Sequence, residues 1–72
     1  MTEARREAIL AKVRQYILEQ SRTQPTNEVM NTVLDQNHPH FSDALQTIGV
    51  TKEEWGEALG PNVEELRKQL GQ

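Results

Sequence analysis

The sequence predicts an all-α protein, a small bundle of four to five helices. Three observations carry that expectation. Apolar residues recur at three- and four-residue intervals along most of the chain. Helix start and stop signals stand at the ends of these periodic runs. No stretch shows the period-two alternation, β-branched run or turn dipeptide of a hairpin. The expected layout is one domain over 1–72: a long amphipathic helix over 1–22, a linker at 23–26, and a compact group of short helices over 27–72.

The first helix, from Thr2 to about Ser21, rests on Ile9, Leu10, Val13, Tyr16 and Ile17, which fall on one stripe about 120° wide. Ala4, Ala11 and Leu18 lie seven residues apart on another side, with Ala8 beside them. Alanine is the best helix former. Small side chains also let a second helix approach closely, so these four residues are the candidate face of a homodimer. A 72-residue chain without cysteine has neither disulfide nor thiolate-metal site to reinforce a small core, which makes a second subunit worth expecting.

Arg22 to Pro25 interrupts the pattern, since proline cannot continue a helix and biases its predecessor toward extended backbone. Thr26 is then expected as an N-cap, with Glu28 in the first turn of a helix running to about Gln36. Its apolar face is Val29, Met30, Val33 and Leu34. Asn37-His38-Pro39 reads as a turn, with Pro39 suited to the first position of a third helix carrying Phe41, Ala44, Leu45 and Ile48. Gly49 is expected to end that helix in the left-handed conformation. Thr51 and Glu54 have the spacing of a capping box, and Val50 and Trp55 that of a hydrophobic staple. That staple places the single tryptophan in the core. Gly60-Pro61 stops the fourth helix. Asn62 is expected to cap a fifth, with Val63, Leu66 and Leu70 inward and Glu64 paired to Lys68.

Net charge is −3, unevenly spread. Residues 1–24 hold five basic side chains against three glutamates; residues 25–72 hold three against eight acidic ones. The two ends are therefore expected to attract, within a subunit or between subunits. No charge-free apolar run of membrane-span or leader type is present, and the expected setting is cytoplasmic. No cofactor is implied. Phosphate-binding glycine loops, zinc-protease, calcium-loop and nucleophile-elbow motifs are all missing, so an enzyme is not expected. His38 and His40, with Asp35 or Asp43 nearby, are the candidate metal ligands, although a site needs three or four that converge.

Residues 40–59 resemble the helix-turn-helix of bacterial regulators, through the glycine-led turn Ile48-Gly49-Val50-Thr51 and the apolar Trp55 in the next helix. The resemblance implies a DNA-binding regulator. The second helix of that unit, however, points Glu53 and Glu57 outward with Lys52 as its only cation, and DNA affinity rests on Lys and Arg neutralising phosphates. Residues 41–70 also look like a ubiquitin-associated domain, in Ile48-Gly49-Val50 and in Asn62-Val63-Glu64-Glu65 opening a last helix, which implies a three-helix fold and a protein partner. The leading expectation is a non-enzymatic regulatory or protein–protein interaction module. Glu53, Glu57 and Glu64 of its acidic C-terminal helices are the candidate contacts to a partner protein.

Overall fold

In a computed structural model describing residues 1–70 (side chains through Gln69), the chain is all-helical. The helices are α1 (Glu3–Gln20), α2 (Thr26–Leu34), α3 (Phe41–Ile48), α4 (Lys52–Ala58) and α5 (Val63–Leu70), with a 3-10 turn at Gly60–Asn62 before the last. The helix α1 is the spine: it packs on α2 and α4, and more lightly on α3, while α5 packs on α2. Among the described residues, sixteen buried apolar side chains from all five helices and from Val50 and Leu59 at the ends of α4 form one core, to which α1 contributes Ile9, Leu10, Val13 and Ile17. The long first helix expected over 1–22 packs across the short helices and runs through this core.

Each helix end has a local cause. Thr2 caps α1, its Oγ1 accepting the Arg5 N–H at 3.2 Å. The cap expected at Thr26 is displaced by one residue. The Pro25 carbonyl already accepts the N–H groups of Glu28 (3.1 Å) and Val29 (3.2 Å), so Thr26 is the first helical residue and α2 has no side-chain cap. That helix also stops at Leu34, earlier than Gln36, because Asp35 is extended and its Oδ1 accepts the Asn37 N–H at 2.9 Å to form an Asx turn.

Pro39 lies ahead of α3, not at its first position. The His38 carbonyl accepts the Phe41 N–H at 3.1 Å, which makes Pro39 the second residue of a tight turn, a place its fixed φ suits equally well. Asn62, expected as a side-chain cap, is instead the last residue of the 3-10 turn and runs directly into α5. Within α5, Val63 and Leu66 turn inward as expected; the side chain of Leu70 lies outside the described residues.

The junction of α3 and α4 is the most fully specified part of the fold. Gly49 is left-handed at φ +75°, its N–H donating to the Gln46 carbonyl (3.2 Å) while the Val50 N–H donates to that of Leu45 (3.0 Å). These two bonds are the Schellman motif, and Val50 and Leu45, the pair that makes its apolar contact, are both buried. Two residues later the capping box closes: the Glu54 N–H donates to Thr51 Oγ1 at 3.1 Å and the Thr51 N–H to Glu54 Oε1 at 3.2 Å. Helix end, turn and helix start are therefore each fixed by their own hydrogen bonds, and Trp55 is delivered to the core at 2% exposure.

Candidate functional site

The charged face of the C-terminal helices begins with Glu54, which does two jobs. While Oε1 closes the capping box, Oε2 accepts from Arg5 Nε at 2.8 Å and Nη2 at 2.6 Å, tying the first turn of α1 to the first turn of α4. The Arg5 guanidinium, and after it the Thr51 N–H, hold the Glu54 carboxyl below the usual glutamate range. Glu57, one turn on, lies 3.6 Å from the N-terminal amine. The attraction expected between the basic and acidic ends is thus realised within one chain.

The three candidate contact residues, Glu53, Glu57 and Glu64, are all exposed. Among the described residues Glu53 and Glu64 have no ion-pair partner, and neither has Glu65, the exposed neighbour of Glu64. Glu64 also rims an open groove of about 390 Å³ between the end of α2 and α5, whose lining includes Leu34, Trp55 and Val63 with Asp35 and Arg67 at the edge. Arg67 is anchored there, its Nη1 donating to Asn31 Oδ1 at 2.5 Å. Neither that anchor nor Asp35 as a rim residue was visible in the sequence. Both depend on how α5 lies across α2, which no local pattern encodes.

Trp55 is structural. Its indole Nε1–H donates to the Val33 carbonyl at 2.9 Å, and its ring meets Phe41 edge-to-face with centroids 5.1 Å apart. The Val33 carbonyl is one of those left unpaired at the end of α2, so a side chain from α4 satisfies it.

His38 and His40 come together without a third ligand. Their ring centroids are 5.7 Å apart, and His38 Nδ1 accepts the His40 N–H at 3.1 Å, which leaves only Nε2 of that ring for any other bond. His40 Nδ1 lies 3.6 Å from Asp43 Oδ2. No group of three or more His, Cys, Asp or Glu able to hold a metal ion occurs among the described residues.

Of the candidate dimer-face residues, Ala4, Ala11 and Leu18 are exposed and Ala8 is half-buried. The turn between α3 and α4 places α4 against α1, with Trp55 and Ala58 buried and Glu53 and Glu57 outward. No described helix is long and apolar enough to cross a membrane. No protein family, no curated protein and no solved structure matches this chain.

Proposed function

We propose that the protein is a non-enzymatic interaction module that receives a basic surface of another protein on the carboxylates of α4 and α5. The observation that supports this reading is the uneven use of those carboxylates. Glu54 is consumed by Arg5 and the capping box, and Glu57 is shared with the N-terminal amine. Glu53, Glu64 and Glu65 remain exposed without an ion-pair partner among the described residues. The spent group does architectural work; the others are open to a cation from outside. The same outward glutamates weigh against duplex DNA as the partner, because they would meet its phosphates.

A panel of lysine- and arginine-rich peptides titrated into isotopically labelled protein tests the reading. Amide shifts are expected on α4 and α5, weakening as salt is raised to about 0.5 M, where charges on exposed groups are strongly screened. They are also expected to vanish in the triple variant Glu53→Lys, Glu57→Lys, Glu64→Lys. Shifts that ignore salt, or that map to other helices, would refute the reading.

A further inference from the structure

We infer that the groove between the end of α2 and α5 receives an arginine or lysine side chain of the partner protein. Arg67 is the chain's own occupant of that place, and the incoming cation displaces it. The inference rests on the proposed reading of α4 and α5 as a docking surface, and locates the contact within it. Asp35 and Glu64 line the groove, about 390 Å³ in volume, from its two sides. Glu64 is exposed and Asp35 half-buried, and neither is in an ion pair among the described residues. Asp35 Oδ1 accepts the Asn37 N–H at 2.9 Å, which leaves Oδ2 for a further donor. The helix α2 ends here with no basic side chain in its last turn, so its terminal carbonyls add partial negative charge. Val63, half-buried in the wall formed by α5, offers an apolar surface to the stem of a long cationic side chain.

Arg67 itself shows that this place takes a cation. It is the one cation lining the groove and is half-buried, whereas Lys68 beside it is exposed. Among the described residues its guanidinium has a single hydrogen-bond partner, the neutral amide oxygen of Asn31, and no carboxylate within 4.0 Å. Arg67 therefore offsets part of the charge of Asp35 and Glu64 without being paired to either. A guanidinium or ammonium that reaches Asp35 Oδ2 or Glu64 adds the attraction of opposite charges that the Asn31 bond lacks. Arg67, on its long stem, then turns out to solvent while Leu66 keeps α5 in place.

Hexa-arginine and hexalysine peptides titrated into the isotopically labelled full chain at about 50 mM salt, where charges interact over more than about 10 Å, test this. The amides of Asn37 and Val63, at the two sides of the groove, are expected to shift. Arg67→Gln removes the charge and keeps a donor for Asn31. It should bind both peptides roughly two- to fivefold more tightly, the worth of one exposed ion contact. Lys68→Gln removes a neighbouring charge outside the groove lining and should change affinity less than Arg67→Gln does. Asp35→Asn, whose amide oxygen still accepts the Asn37 N–H, should weaken binding by a similar factor, and decides alone if Arg67→Gln unseats α5. Equal gains from Arg67→Gln and Lys68→Gln, or indifference to Asp35→Asn, overturn the inference and leave the docking reading standing. Peptides that shift no amide of α4 or α5 in a salt-dependent way remove that reading and this inference together.

Discussion

Arg5 and Glu54, forty-nine residues apart, are joined by two hydrogen bonds to a single carboxylate oxygen, while the other oxygen of Glu54 holds the Thr51 N–H. One side chain therefore caps α4 and docks it on α1. Its carboxyl is held below the ordinary glutamate value of about 4.3, so the folded chain gives up this proton more readily than the unfolded chain. The stabilisation is fully present above that ordinary value and is lost as pH falls through the lower folded-state value. Urea unfolding followed from about pH 6 to pH 3 is expected to show a shallower acid loss in Glu54→Gln than in the parent, together with lower stability at pH 6. Parallel pH profiles for the two proteins would show that the pair does not couple to folding.

Trp55 presents a different balance, between apolar burial and one polar bond. Trp55→Phe keeps the edge partner of Phe41 but removes the donor to the Val33 carbonyl, a buried acceptor at the end of α2. Leaving such a group unpaired costs about 1–3 kcal/mol, and the smaller ring adds a void. Trp55→Ala, which also empties the ring site, is expected to cost about 3–5 kcal/mol. Chemical denaturation monitored by circular dichroism separates these. A Trp55→Phe variant within about 0.5 kcal/mol of the parent, the scatter typical of neutral surface changes, would mean that the indole bond contributes nothing net.

Two glycines should respond in opposite directions to the same methyl group. A Cβ at Gly49 or at Gly56 meets nothing within 4 Å, so packing does not decide either case. Gly49 sits at φ +75°, where an L side chain crowds its own backbone, and Gly49→Ala is expected to cost about 1–2 kcal/mol. Gly56 is inside α4, and Gly56→Ala there should stabilise by about 0.5–1 kcal/mol through helix propensity and a stiffer unfolded chain. Thermal melts of the two variants, bracketing the parent by several degrees each way, are the expected outcome. Equal shifts in one direction would contradict the assignment of strain to Gly49 alone.

These contrasts mark what was legible in the sequence. The Gly49 terminus, the Thr51–Glu54 box and the burial of Val50 and Trp55 are encoded within a few residues of one another, so short-range chemistry determines them. Pro25 was read correctly as a break and Pro39 as part of a turn opening α3, but the helix starts beside them fall one and two residues from where they were expected. Proline's fixed φ suits a cap, a first turn and a tight turn alike, and only the hydrogen bonds made by neighbouring amides choose among them. The Arg5–Glu54 tie, the Trp55–Val33 bond and the Arg67–Asn31 anchor span 49, 22 and 36 residues and depend on how helices cross. Opposite charge at the two ends predicted an attraction, and the fold supplied the partners. The outward positions of Glu53 and Glu57 follow from the face pattern of α4, a local property; the groove beside Glu64 does not, because α2 and α5 meet only in three dimensions.

By its described side chains α5 buries the fewest residues of the five helices, and this bears on the surface proposed to meet a partner. Among its described side chains Leu66 alone is fully in the core, with Val63 packed at the edge, whereas α1 and α2 each contribute four buried residues. Local opening energies follow buried apolar contact, so α5 should open without the rest of the bundle. Amide hydrogen exchange is expected to be fastest in α5, and slowest around Ile9, Val13 and Val33. Leu66→Ala, at about 2–3 kcal/mol for a buried leucine that α5 can partly relax around, should accelerate exchange in α5 far more than in α1. The Arg67–Asn31 bond is the second tie, so Asn31→Ala should produce the same pattern more weakly. Uniform protection across all five helices would show instead that α5 folds only with the whole, and that Glu64 is carried on a surface as rigid as that of Glu53.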